Sequence, residues 1–441
     1  MSLSAHATTS SVALLAQLAH ARGLTDALLA RVRPAHLLER PIPQRHRFIF
    51  YLGHLDAFDW NLLAARCGAQ RSHPFDALFA SGIDPMGDAL PQDMADEWPD
   101  ARQIDAYIAT TRSGLDALLP MALTGDAGDD AEVPLAFVLN AAIEHRLMHV
   151  ETLAYMLNRS ALGRQVRRDA APVRMPPPSS WVSIPAGPVT LGRQRDDWRT
   201  FGWDNEFDAQ EIAVEAFEIQ RCMVANVDFL RFVDAGGYQD AACWSAEDWA
   251  WRQQQGLIHP PFWERRGGRW YQRTLRELVP LPLDWPVYVS HAEASAYTHW
   301  SGWALPSEAQ WQRAAYAAPD GGMRPHPWGS AAPGARHGNF DLLHEQPQAV
   351  DAHPAGASAF GVCGLLGNGW EWTSTPFAPL PGFAPFAFYP GYSADFFDGR
   401  HYVIKGGGPF TAAALLRRSF RNWFQPHYPH VHAGFRCVRN G

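Results

Sequence analysis

Three consecutive prolines, Pro176-Pro177-Pro178, divide this chain of 441 residues. Each proline fixes its own φ and drives the residue before it out of the helical region, so the run excludes helix and makes an extended, semi-rigid spacer. It closes the stretch "RQVRRDAAPVRMPPPSS", residues 164–180, which is first basic and then proline-rich. Composition changes across it. Of 18 Trp, only Trp60 and Trp98 precede residue 180. A chain of this length exceeds one ordinary core, so residues 1–163 and 181–441 are expected to be separate domains, with 164–180 as their linker.

Before the linker the pattern is helical. "SSVALLAQLAHARGLTDALLARV" (interrupted by Gly23), "RHRFIFYLGHLDAFDWNLLAAR" and "EVPLAFVLNAAIEHRLMHVETLAYMLNR" repeat apolar residues at spacings of three and four, and "ARQIDAYIATTRSGLDALLPMAL" predicts a further helix. Four such segments make an antiparallel four-helix bundle, a fold that builds metal sites from inward-facing side chains. After the linker, Gly, Pro and Trp punctuate short strand-like pieces such as "WVSIPAGPVTLG" and "IAVEAFEIQRCMV". An amphipathic helix is predicted at "SHAEASAYTHWSGW", closely followed by "ALPSEAQWQRAAYAA". The fold class is multidomain, α followed by α+β.

The formal charge of −8 offers no basic footprint for nucleic acid. The five cysteines are odd in number, widely spaced and free of CxxC pairs, which indicates neither a disulfide framework nor a cysteine-zinc site. No window approaches the roughly 18 to 20 apolar residues of a membrane-spanning helix, and the N-terminus lacks a basic n-region. A soluble, cytoplasmic protein is expected, with no membrane partner.

Chemistry concentrates at "EHRLMHVETL", residues 144–153. His145 and His149 lie one turn apart, so both imidazoles leave the same helix face and can reach one point. The pair by itself reads equally as two packed or exposed histidines. A catalytic ion needs a third ligand, and His54 in "FIFYLGHLDAFDWNLL", beside the small Gly53, faces the pair if the bundle forms. Three neutral imidazoles suit Fe(II), Zn or Cu and leave positions open for substrates. Glu151 lies about 200° around the helix from His149 and so has a packing or supporting role.

The spacing of His145, His149 and Glu151, with His54 upstream, resembles the DinB-like bundle of ergothioneine sulfoxide synthases. The second half resembles the formylglycine-generating-enzyme (sulfatase-modifying-factor) domain, a C-type-lectin-like α+β fold. The segments that carry this are "IPAGPVTLG", "ALPSEAQWQRAAY", "GLLGNGWEWTST", "IKGGGPF" and "RRSFRNWFQPHYPHVHAGFRCVR". The resemblance implies a nonheme iron centre, Fe(2+) on His54, His145 and His149, that uses O2 to join a chalcogen to C2 of hercynine. It also implies that the second half covers the site and supplies much of the substrate pocket. The copper-binding cysteines of formylglycine-generating enzymes have no counterpart here, since no cysteine lies between Cys363 and Cys437.

Other residues follow from the same resemblance. Asn422 and Trp423 match the segment that contacts the trimethylammonium betaine, whose cation is attracted to an aromatic face. Trp370 and Trp372 read as core. Four departures bear on the donor. Phe424 replaces the Asp of the "RNWD" pattern; Leu380 replaces the Tyr of "PYPGF"; Met148 stands where some members carry Gln. Residues 72–101 contain no Lys or Arg but seven acids: Asp76, Asp84, Asp88, Asp93, Asp96, Glu97 and Asp100. Tyr389 and Tyr392 are candidates for a catalytic phenol. These departures favour the selenoneine synthase branch, whose donor is a selenosugar, over sulfur transfer from cysteine or γ-glutamylcysteine. A non-catalytic binding module and a zinc-dependent thiol transferase are the readings of other classes.

Overall fold

The computed structural model describes residues 2–69, 71–80, 93–94, 97–124, 133–160, 165–167, 174–196 and 198–440. Contacts divide the chain into two compact units: Met1–Leu162 with Asp196–Phe201, and Gly163–Arg195 with Gly202–Gly441.

The first unit is helical: α1 (Ser2–Leu29), α2 (Phe48–Leu63), the short α3 (Pro74–Leu78), α4 (Ala101–Thr124) and α5 (Leu135–Arg159). α1 and α2 each pack on both α4 and α5, which makes a four-helix bundle of the predicted segments. α1 runs through Gly23. A glycine costs a helix interior about 1 kcal/mol, and buried Leu18, Ala21 and Leu28 to either side outweigh that. The short excursion Asp196–Phe201 belongs to this unit because Trp198 and Phe201 both pack on buried Phe137, each with ring centroids 4.8 Å apart. Trp198 adopts the left-handed backbone conformation (φ 63°), which a bulky residue rarely takes without such anchoring.

The second unit is α+β. Its strands are β1 (Gln165–Val166), β2 (Trp181–Ile184), β3 (Gly187–Leu191), β4 (Gln210–Val214), β5 (Phe217–Gln220), β6 (Trp263–Arg266), β7 (Arg269–Arg273), β8 (Glu277–Pro280), β9 (Gly369–Pro376), β10 (Tyr402–Gly407), β11 (Asn422–Phe424), β12 (Ala433–Gly434) and β13 (Val438–Asn440). They form sheets of order β1-β8-β7-β6, β11-β10-β9-β12, β13-β5-β2 and β3-β4. The helices are α6 (Asn226–Asp234), α7 (Ala246–Gln255), α8 (His291–Ser301) and α9 (Glu308–Tyr316). α8 and α9 start where their sequences say they should: Ser290 with Glu293, and Ser307 with Gln310, form reciprocal capping boxes.

Ile184, Val189, Phe217, Ile219, Trp311, Leu365 and Val438 build one core. Beside it, the "GWEWT" motif shows its purpose. Trp370 and Trp372 are buried, and Glu371 between them takes two bonds from the buried Arg436 guanidinium, at 2.5 and 2.7 Å, and one from Trp311 Nε1 at 3.1 Å. The residues of this motif hold the domain together. Among the described residues no helix is long and apolar enough to cross a membrane.

Candidate metal centre

α2 and α5 supply the centre. His145 and His149, one turn apart on α5, bring their Nε2 atoms within 3.2 Å of each other. His54 on α2 joins them, so that one ligand atom from each residue lies within 4.8 Å of the others. Two imidazole nitrogens bound to one ion at about 2.1 Å stand roughly 3.0–3.4 Å apart, so the pair already has coordination spacing. Each of the three side chains is buried. Loss of water lowers the basicity of all three: His54 falls to about 4, and His145 and His149 fall well below the ordinary range, with neighbouring imidazoles and Arg146 adding to the effect. Neutral imidazole is the ligating form.

His54 is oriented by the backbone. Its Nδ1 donates to the Phe79 carbonyl at 2.7 Å, which puts the proton on Nδ1 and the lone pair on Nε2. That Nε2 is buried without a hydrogen-bond partner among the described residues. A buried, unpaired acceptor is costly unless a cation takes it. Glycine at position 53 makes this possible: a Cβ there would lie 2.4 Å from the Phe79 ring. Phe50 stacks on His54 at 4.6 Å and Phe58 on His145 at 3.6 Å, so packing fixes the rings. The donor set therefore fits an Fe(II), Zn or Cu ion with open positions. Glu151 is half-buried and lies outside the cluster.

Beside the histidines runs an ion network that periodicity did not reveal. The guanidinium of Arg146, fully buried, donates to Asp59 at 2.7 Å and Asp56 at 2.8 Å. Arg112 joins Asp56 at 2.8 Å and Asp26 at 2.7 Å. Asp56 and Asp59 lie on α2 beyond His54, and Arg146 lies between the two histidines of α5. The signal was present as an Arg inside an apolar helix with two acids at i and i+3 on another.

The second unit separates the residues expected to bind substrate. β11 pairs with β10 at Ile404–Asn422, Val403–Trp423 and Tyr402–Phe424, so Asn422 and Phe424 share one face and Trp423 takes the other. Trp423 stacks on Phe377 at 4.2 Å, with Tyr392 and Phe396 each 5.5 Å away. Phe424 stacks on Tyr428 at 5.3 Å. Asn422 uses its Oδ1 to accept from the Trp423 N–H at 2.8 Å. Tyr392 is buried against Trp203, ring to ring at 3.9 Å, while Tyr389 is half-buried. Leu380 is buried.

The acidic segment is partly neutralised. Asp93 is bonded by Arg47 and Trp98 Nε1, both at 2.7 Å, and also meets Arg40. Asp76 accepts from Tyr107 at 2.8 Å and lies 3.8 Å from Arg71. Asp84, Asp88 and Asp96 lie outside the described residues.

The Sulfatase-modifying factor enzyme 1-like domain family matches residues 167–441, and the DinB superfamily matches residues 17–153. "Hercynine oxygenase" of Mycobacterium tuberculosis is 38% identical over 338 residues, 76% of this chain and 76% of that protein. The protein of the same name in Mycolicibacterium smegmatis is 37% identical over 345 residues, covering 76% and 77%. "Ergothioneine biosynthesis protein 1" of Neurospora crassa is 28% identical over 494 residues, which cover 92% of this chain and 55% of that longer protein. With a buried three-histidine centre in its DinB-like bundle and this similarity along both halves, the chain belongs to the hercynine oxygenase family and is a metal-dependent oxidative enzyme.

Proposed function

We propose that this enzyme uses iron(II) and O2 to join selenium from a selenosugar to C2 of hercynine. The observation that carries the reading is the buried centre of His54, His145 and His149 in a chain of this family. When bound there, iron(II) supplies the one-electron chemistry with O2 that an unactivated imidazole C–H requires. The chain's own residues do the rest. The Phe79 carbonyl keeps the His54 proton on Nδ1, and Phe50 and Phe58 hold the rings and exclude water. Trp423, ringed by Tyr392 and Phe396, offers the aromatic surroundings that attract a trimethylammonium group. Asn422 lies on the opposite face of β11, with Phe424, and its oxygen is used locally, so the reading places the trimethylammonium group at Trp423 without Asn422.

Phe424 supports the selenosugar. Stacked on Tyr428, it presents a ring where an Asp would meet a donor's ammonium group. Asp76 and Asp93 are engaged with Arg and Tyr partners, so the support for a neutral donor rests on Phe424 rather than on the acidic segment. Sulfur transfer from cysteine or γ-glutamylcysteine is the second reading, favoured by the names of the relatives. One mass-spectrometric assay separates them: hercynine, Fe(II) and O2 with cysteine, γ-glutamylcysteine and a selenosugar offered in parallel. The selenosugar product is expected to dominate, and Phe424→Asp to shift turnover toward the amine-bearing donors. Efficient use of γ-glutamylcysteine by the unmodified enzyme, with no selenium product, overturns the selenium reading. No product from any donor overturns both.

A further inference from the structure

Cys222, just after β5, and Cys363, in the loop before β9, are distant in sequence and held together in the second unit. The Cys363 N–H donates to the Arg221 carbonyl at 2.7 Å. The Arg436 guanidinium, itself fixed by Glu371, donates to the Arg221 carbonyl at 3.1 Å and the Cys363 carbonyl at 3.0 Å. The two side chains are close enough for each to shift the other's ionisation, and the Cys363 Sγ donates to the Gly361 carbonyl at 3.7 Å.

Both cysteines line a cavity of about 300 Å³, whose other walls include Pro176, Pro177, Pro178, Asp228 and Asp351. The wall formed by the proline run is strapped in place. Arg174 bonds Asp284 at 3.0 Å and Asp351 at 2.8 Å, the Gln220 Nε2 donates to Ser179 Oγ at 3.1 Å, and the Arg221 N–H donates to the Ser180 carbonyl at 2.8 Å. The cavity gives small molecules a route to two sulfurs in an otherwise buried place.

The neighbouring Cys222 side chain and the Arg221 guanidinium hold the Cys363 thiol well below the usual range, while Cys363 and burial push Cys222 up. Burial pushes the other three, Cys67, Cys243 and Cys437, upward. The shifts favour Cys363 as the attacking sulfur and leave Cys222 protonated.

We propose that Cys222 and Cys363 form a thiol–disulfide exchange site that takes low-molecular-weight disulfides through this cavity. The Cys363 thiolate attacks one sulfur of the incoming disulfide, the S–S bond breaks, and one thiolate leaves. That thiolate takes the Cys222 proton. Cys222 then attacks the Cys363 sulfur of the mixed disulfide and releases the second thiolate. Two protein sulfurs are oxidised by two electrons, and one small disulfide is reduced to one thiol and one thiolate. The inference uses no residue of the histidine centre and does not depend on the donor assigned above.

The test uses the full chain, reduced and then exposed to bis(2-hydroxyethyl) disulfide, with remaining thiols alkylated and peptides mapped by mass. Wild type is expected to form the Cys222–Cys363 disulfide and leave Cys67, Cys243 and Cys437 reduced. Cys222→Ser is expected to stop at a hydroxyethylthio adduct on Cys363, and Cys363→Ser to leave Cys222 unmodified. Near neutral pH, Cys363 should react at least about tenfold faster than Cys67, since each unit of pKa is a tenfold change in thiolate below the titration. Prior reaction at Cys67, or a wild-type map without the 222–363 crosslink, overturns the site. So does an adduct on Cys222 of the Cys363→Ser protein at the wild-type rate. The wild-type map decides the matter even where a serine variant does not fold.

Discussion

At the scale of single residues, the centre depends on which nitrogen of each imidazole holds the proton. The Phe79 carbonyl decides this for His54, and Gly53 lets Phe79 approach. Gly53→Ala should therefore displace Phe79, with an overpacking cost of about 1–3 kcal/mol, and weaken metal binding by about 10- to 100-fold through the lost orienting bond. Metal titration and urea unfolding check the two effects separately. Acid should act on the same residues. Burial depresses all three imidazoles, so below pH 6.5 the unfolded chain takes up protons that the folded one refuses. Stability of the metal-free protein should fall with pH from there, by about 1.4 kcal/mol per pH unit for each histidine. The His54 share should level off near pH 4. Urea unfolding of metal-free protein between about pH 7 and 5 measures the slope, and His54→Asn should remove one histidine's part of it.

At the scale of elements, α2 and α5 are joined by charge as well as by packing. Burial raises Asp59 to about 6 against the pull of Arg146, whereas at Asp56 the pull of Arg146 and Arg112 outweighs burial and the carboxyl is held low. Removing Arg146 leaves Asp59 without its bonded cation and Asp56 with Arg112 alone, so Arg146→Ala should cost the bundle about 3–5 kcal/mol, measured by urea unfolding. On β11 the alternation of side chains makes a different test possible. Trp423→Ala should weaken hercynine binding by about 1–2 kcal/mol if the betaine meets that ring, and Trp423→Phe should weaken it less. Unchanged affinity in the alanine variant returns Trp423 to packing against Phe377.

At the scale of the whole molecule, the two units answer to different reporters. Of the 18 Trp, only Trp60, Trp98 and Trp198 fall in the first unit. His145→Ala should abolish metal uptake, measured by elemental analysis, and leave the Trp emission of the second unit unchanged. Retained stoichiometric metal in that variant would remove His145 from the centre. The Asp196–Phe201 excursion ties the first unit to a segment beyond the linker. Trp198→Ala should therefore destabilise the bundle by about 0.5–1.5 kcal/mol through the lost aromatic pair with Phe137, read from the helical signal on thermal unfolding.

The sequence by itself determined the helical segments, the α+β pattern of the second half and the His145/His149 pair, because these are written in local periodicity; the resemblance, not periodicity, assigned His54 to the centre and the second half to its domain family. Apolar residues at three and four, and His145 and His149 at i and i+4, declare a helix face wherever the chain goes. The caps of α8 and α9 are legible for the same reason, since their partners lie three residues apart. Only the tertiary structure decided that Phe79 orients His54, that Arg146 joins two acids of α2, and that Trp198 serves the bundle. It alone turned Trp423 away from Phe424 and brought Cys222 to Cys363. Each of these is a meeting of residues far apart along the chain or on opposite faces of one strand. No local pattern encodes such a meeting; burial and pairing impose it when the elements pack.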